Sequence, residues 1–396
     1  MTFSDLDLDP RILEGLDELS LTNPSPVQKQ TIPSLLQNQN MIIKSPTGTG
    51  KTFAYLLPIF HHLLNAKIMH DEPTTLILVP TRELARQIYD VCLNFAKHLN
   101  LEIVVIYAGP REQKHKRDLD KHFIDILIST PGKLVDYVKR GWIKLGRIAI
   151  SVLDEADVIL EMGFADVMKF VTEALPHKNK RQSIIVGATI SSNLAQFVKE
   201  FSGKIDMKEV TGFEIPKSIS HHAIIVTEAK KFDILKKLLL HEKFEACIIF
   251  VSSIHKSRIT SRNLFKANID HEEIHSGRTQ RQRNRAIENF TSGVVDILIS
   301  TDIAARGIDI PEVTLIINFD YPKSFDDYLH RAGRTGRFGK RGKSILIGTE
   351  KNLTALSLYE KKIGKRINRV NKIAQFNNRI GYKSDKNKNR KFKKRR

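Results

Sequence analysis

The residues best suited to chemistry are Ser45–Thr52, SPTGTGKT, directly after the apolar stretch that ends at Lys44. A loop of small residues lets backbone N–H groups wrap a phosphate, and a helix opening behind it adds its positive end. Lys51 would then reach the outer phosphates of a nucleoside triphosphate, and the Thr52 hydroxyl would face Mg²⁺. The strict pattern begins on glycine, where this chain has Ser45; Thr47, Gly48, Thr49, Gly50, Lys51 and Thr52 keep the part that grips phosphate. A glycine-rich turn can be purely structural, but here strand and helix patterns flank it as phosphate binding requires.

Such a site needs an acid at the end of a neighbouring strand. Ile148–Leu153 runs into Asp154, Glu155, Ala156 and Asp157. Asp154 is the candidate to hold the metal, and Glu155 the candidate to orient and deprotonate water. Carboxylates favour helix N-termini in any case, but this string follows a phosphate loop. Cations must also meet the charge that develops on the γ-phosphate. His330–Arg337, HRAGRTGR, offers Arg331, Arg334 and Arg337 three residues apart, which predicts one shared helical face. A merely wet basic helix would be weakened by Gly333 and Gly336 for no return. With these cations in the other half of the chain, the site would lie between two halves and be completed when they close.

The elements that must position these groups follow a regular rhythm. Short apolar runs at 41–44, 75–79, 103–107, 124–129, 148–153 and 183–186 alternate with helix-like stretches such as 82–96. The rhythm restarts at 223–226, 246–251, 294–300, 315–319 and 344–346. Runs rich in β-branched residues, separated by helices, imply βαβ units and parallel sheets. The hexapeptide DILIST occurs at 125–130 and again at 296–301, which predicts two related α/β domains. The expected boundaries are a first domain over 1–204, a linker over 205–219 with Gly212 and Pro216, a second domain over 220–363 and a tail over 364–396.

The charge is unevenly spread. The chain of 396 residues has 64 Lys/Arg and 44 Asp/Glu, and its last 36 residues hold 16 of the cations with a single acid, Asp385. The body is nearly balanced, whereas the tail is a cationic arm suited to a polyanion or to a localisation signal, and is expected to be disordered. Hydrophobic content of 41% excludes wholesale disorder. Two distant cysteines, Cys92 and Cys247, exclude a disulfide scaffold and a cysteine-rich zinc site. No apolar run approaches the roughly 18–20 residues of a membrane span, so no membrane contact is expected. The acidic start, MTFSDLDLDP, reads as neither a signal nor a transit peptide.

Taken together, the motifs resemble those of the DEAD-box ATP-dependent RNA helicases, in family order and spacing, over roughly residues 3–350. The resemblance implies two tandem RecA-like domains, each a mostly parallel sheet flanked by helices. It implies that Gln28, in Pro24–Gln28, reads the adenine edge and that Phe3 packs near the base. Gly307 and Asp309 would approach the nucleotide sugar, and Arg334 and Arg337 would act as arginine fingers. Pro80, Thr81, Arg82, Gly109, Thr130, Pro131 and Gly132 would contact RNA backbone from the first domain. Gln280, Arg283 and Thr301 would do so from the second. Asp157, Gly187, Ala188, Thr189 and His330 would couple hydrolysis to domain movement. The chain departs from the family in Gly187 for the usual serine, Gly109-Pro110 for paired glycines, and His275-Ser276 for His-Gly.

The resulting expectation is an RNA-dependent ATPase, using ATP and Mg²⁺, that separates short RNA duplexes or remodels ribonucleoproteins. It is expected to act as a monomer and without base specificity, since Thr130 and Thr301 suit phosphate oxygens rather than bases. The alternatives are an ATP-gated RNA clamp with weak unwinding, and a catalytically inactive RNA-binding protein, which the full set Lys51, Asp154, Glu155, Arg334 and Arg337 disfavours. The composition of the tail points to ribosome assembly with pre-ribosomal partners in the nucleus or nucleolus. A cytoplasmic general RNA remodeller is the other option.

Overall fold

A computed structural model describes residues 1–45, 49–65, 72–109, 112–120, 123–187, 192–202, 206–209, 218–305, 313–336 and 341–370. Two seven-stranded sheets organise them. The first holds β1 (Met41–Lys44), β2 (Thr75–Leu78), β3 (Ile103–Ile106), β4 (Ile126–Ser129), β5 (Ile150–Leu153), β6 (Gln182–Gly187) and β7 (Asp206–Glu209). The second holds β8 (Ile219–Ile225), β9 (Cys247–Val251), β10 (Glu272–Ile274), β11 (Ile297–Thr301), β12 (Leu315–Asn318), β13 (Gly342–Gly348) and β14 (Asn368–Arg369). The orders are 3-4-2-5-6-1-7 and 10-11-9-12-13-8-14. Adding seven to each strand of the first sheet gives the second, so the two domains have one topology. All the strand pairings are parallel. The inner strands are therefore covered on both faces and read as continuous Ile/Leu/Val runs.

The DILIST repeat marks equivalent strands, β4 and β11, each second from the same edge. The local detail repeats as well. The Ser129 hydroxyl donates to the Thr130 carbonyl at 3.0 Å, and the Ser300 hydroxyl to the Thr301 carbonyl at 3.0 Å.

The boundaries need correction. β7 lies inside the stretch expected to be linker, yet it pairs with β1, so the first sheet extends to Glu209. β8 begins at Ile219, one residue inside that linker. The helix Leu353–Ile363 ends on Gly364 in the left-handed region, as a helix stop should. The chain then returns to the sheet: Ile367 is buried and β14 pairs with β8. These edge strands are two to four residues long and mostly polar, so no apolar run announces them. The body thus continues to Val370, and the disorder expected of the tail falls on residues outside the described set.

Arg331 and Arg334 of HRAGRTGR do not share a helical face, and Arg337 lies outside the described residues. The helix Phe325–Ala332 stops at Gly333, and Gly336 turns the chain at φ +72, where a Cβ would come within 2.5 Å of Ile219. Arg331 alone sits on the helix, 2% exposed. Its guanidinium grips Asp302 with two bonds, at 2.6 and 2.8 Å, and also reaches the Asn318 side chain and the Asp320 carbonyl. That network ties β11 and β12 to the helix inside the second domain. Replacing Arg331 with Met should leave Asp302 without its fork and cost about 3 kcal/mol of second-domain stability. Arg331→Lys should rescue little, since an ammonium cannot make the paired contact. Urea unfolding followed by a second-domain probe measures both; a loss below about 1 kcal/mol for Arg331→Met would assign the network no structural weight.

Candidate active site and nucleic-acid face

Both sheets are parallel, so the loops at their carboxyl ends gather the chemistry. β1 leads through Ser45 towards the phosphate loop, and the helix Lys51–Asn65 begins directly after Gly50. The Ser45 N–H donates to the Gly187 carbonyl at 3.1 Å, pinning the loop to the end of β6. Gly187 therefore serves the loop through its backbone. Ser45 and Thr49 hydroxyls bond each other at 2.8 Å, and Lys51 Nζ donates to the Ser45 carbonyl at 2.5 Å. Gly50 has φ +89, and a Cβ there would lie 2.6 Å from Gln28 Nε2. The Gln28 amide donates to the Gly50 carbonyl at 3.0 Å and accepts from the Ser25 N–H at 2.7 Å. Gln28 thus braces the loop and caps its own helix. Phe3 is 5% exposed and belongs to the first domain's core cluster.

Asp154 and Glu155 follow β5. Asp154 is buried, its Oδ1 accepting from the Glu155 N–H at 2.8 Å and its Oδ2 from the Tyr55 hydroxyl at 2.9 Å. Burial pushes its carboxyl pKa up, and Lys51 and the Tyr55 hydrogen bond work against that. Glu155 adopts the left-handed conformation, φ 50 and ψ 48, which is costly for glutamate and tends to persist at functional sites. Burial, then the Asp154 charge, pushes its pKa up to about 7, with Arg334 and Lys51 pulling the other way. Its Oε2 is buried with no hydrogen-bond partner among the described residues. Lys51 is buried too; desolvation lowers its pKa, while Asp154, Glu155 and Asp157 oppose this. Asp157 accepts from the Val158 N–H at 3.1 Å, and His330 is buried.

Arg334 comes from the second domain, yet it bears on the charge of both Glu155 and Lys51. The site therefore spans the two domains, with phosphate loop and acids on one side and a cation on the other. The oxygen donors Thr52 and Asp154 suit a hard cation. Among the described residues no group of three or more His, Cys, Asp or Glu side chains could hold a metal ion. A metal here would thus draw most ligands from phosphate and water, which fits Mg²⁺. Thr47, Gly48, Ala188, Thr189, Gly307, Asp309 and Arg337 lie outside the described residues.

The residues expected to meet RNA fall on the same edge. Pro80 and Thr81 follow β2, and the Thr81 hydroxyl accepts from the Leu84 N–H at 3.3 Å. Arg82 opens the helix Arg82–Leu99 and donates to the Ala108 carbonyl at 3.0 Å, beside Gly109. Thr130, Pro131 and Gly132 start the helix Pro131–Lys139 after β4, and Thr301 ends β11. Gln280 opens the helix Gln280–Thr291. Arg283, expected on RNA, forms an ion pair across the cleft: its guanidinium lies 3.2 Å from the carboxylate of Glu83, both largely buried. Sequence reasoning missed Tyr55, and it held Glu83 only within Pro80–Ala85, a segment expected on RNA, without its partner Arg283. Tyr55 was within reach, because it stands four residues after Lys51 and three after Thr52, on one helix face. Glu83 carried no such cue.

A family profile described as DEAD/DEAH box helicase matches residues 25–197, and one described as helicase conserved C-terminal domain matches 230–339. The ATP-dependent RNA helicase RhlB of Photorhabdus laumondii is 34% identical over 369 residues, spanning 90% of this chain and 85% of its own. RhlB of Aliivibrio salmonicida is also 34% identical, over 90% and 84%. Among solved structures, S. cerevisiae Dbp5 bound to RNA and ADP BeF3 is 30% identical, with TM-score 0.80 over 93% of this chain and 95% of its own. The DEAD-box helicase Mss116 bound to ssRNA and UDP-BeF is 26% identical, with TM-score 0.81 over 95% and 81%. The two domains are therefore placed much as they are in proteins holding RNA and a nucleotide analogue.

Proposed function

Because the chain belongs to the DEAD-box family of ATP-dependent RNA helicases, we propose that it couples ATP hydrolysis, with Mg²⁺, to local separation of short RNA duplexes. The observation that carries this reading is the convergence of Lys51, Asp154 and Glu155 from one domain with Arg334 from the other. Lys51 would leave the Ser45 carbonyl for the outer phosphates. Thr52 and Asp154 would hold Mg²⁺, which supplies charge neutralisation on the phosphates when bound. Glu155 Oε2, buried without a partner, would take the proton of the attacking water. Arg334 would meet the charge that develops on the transferring phosphoryl group. Because that group arrives from the second domain, hydrolysis depends on closure. Glu83 and Arg283 would fasten the closed state, and Thr130 and Thr301 would hold successive phosphates of one RNA strand.

Hydrolysis measured with and without RNA, beside strand displacement of a short duplex, tests the assignment. RNA-stimulated hydrolysis with displacement supports it; hydrolysis without displacement would leave an ATP-gated clamp. The curated relatives are bacterial, and their names say ATP-dependent RNA helicase only. They therefore give no support to the nuclear or nucleolar placement and the ribosome-assembly role that the tail's composition prompted. A cytoplasmic, monomeric RNA remodeller is the reading we adopt.

Residues 371–396 hold eleven of the chain's Lys/Arg and one acid. Such an arm adds affinity through counterion release. Removing 371–396, and so sparing β14, should raise the RNA concentration for half-maximal ATPase about tenfold at low salt and flatten its salt dependence. The rate at saturating RNA should hold. An unchanged RNA requirement would assign the arm to localisation alone.

A further inference from the structure

We infer that Tyr55 is a positioning residue for the magnesium site, fixing the Asp154 carboxylate through its hydroxyl. The inference rests on the ATPase reading above. Lys51, Thr52 and Tyr55 lie on one face of the helix Lys51–Asn65, at spacings of three and four. Tyr55 is fully buried, and its hydroxyl donates to Asp154 Oδ2 at 2.9 Å. It therefore ties the helix that also carries Thr52 to the strand end that carries Asp154, a bond across 99 residues of sequence.

The chemistry explains why such a bridge matters. Mg²⁺ demands near-ideal octahedral geometry and keeps several waters, so a small rotation of either side chain weakens it. Asp154 has two oxygens. The Glu155 N–H takes Oδ1 and the Tyr55 hydroxyl takes Oδ2, so the plane of the carboxylate is fixed from both sides. Partners of this kind, one step behind the ligands, typically change metal affinity by 10–100-fold when removed. The bond acts on a side chain expected to hold the metal and leaves the phosphate-binding backbone alone. Its loss should therefore show in metal dependence and leave metal-free nucleotide binding intact.

Tyr55→Phe removes one oxygen and keeps the ring that fills the core. Binding of a fluorescent ADP would be titrated in the full chain at rising Mg²⁺ and, separately, in EDTA. Mn²⁺ binding to the ADP complex, read by electron paramagnetic resonance, gives a second measure without turnover. The expected result is about a tenfold rise in half-saturating Mg²⁺ and a matching loss of Mn²⁺ affinity. Nucleotide affinity in EDTA should be unchanged. Equal metal dependence in variant and wild type would overturn the inference. So would a parallel loss of affinity in EDTA, which would make Tyr55 a general packing residue. Both leave the ATPase reading standing, because that depends on wild type responding to Mg²⁺ and RNA at all.

Discussion

Glu155→Gln should reduce RNA-stimulated ATP turnover by about a hundredfold to ten-thousandfold, the range for removing a general base, while ATP stays bound. The amide keeps the shape and loses the ability to take a proton. Lys51→Ala should behave differently, weakening nucleotide binding itself, because Lys51 reaches back into the phosphate loop and donates to the Ser45 carbonyl. Turnover by Glu155→Gln within about tenfold of wild type would remove Glu155 from the role of base. The same variant makes a second prediction in the nucleotide- and metal-free protein. The folded-state pKa of Glu155 is raised to about 7 from an ordinary 4.5. Between those values the folded protein binds more protons than the unfolded one, so this group lowers stability as pH rises. At pH 8 the penalty is on the order of 3 kcal/mol. In EDTA, Glu155→Gln should therefore unfold at a higher temperature than wild type at pH 8, with the gap closing towards pH 4.5. A gap independent of pH would show that titration of this carboxyl does not set it.

Arg334→Ala should lower RNA-stimulated turnover by about a thousandfold or more, the scale for an arginine that meets the transferring phosphoryl group. Nucleotide affinity without RNA should change far less, since the phosphate loop and its braces all belong to the first domain. Arg331→Met supplies the contrast. It stands three residues earlier, yet its guanidinium is spent on Asp302 inside the second domain, so its loss should appear as instability. Single-turnover hydrolysis with saturating RNA, beside nucleotide binding, separates the two. If Arg334→Ala keeps turnover within tenfold of wild type, the cation that completes the site must come from elsewhere in the second domain.

What the sequence alone determined was local. The phosphate loop, the acids after β5, most core strands and the duplication were legible, because each is written within a few residues as apolar runs, turn residues and motif spacing. Identical DILIST segments even identified matching strands of the two sheets. What the tertiary structure decided was which neighbours these residues meet. Arg331 and Arg334 share a motif, but Gly333 and Gly336 end the helix and send one side chain into the core and the other to the cleft. Arg283 carries the pattern of an RNA contact, and only the apposition of the domains gives it Glu83, 200 positions earlier. The short strands β7, β10 and β14 exist because a sheet edge is there to pair with, since two to four mostly polar residues spell no apolar run. The raised pKa of Glu155 and the bridge at Tyr55 have the same origin. Both come from burial among groups distant in sequence, and burial is a property of the packed molecule that no local window of sequence contains.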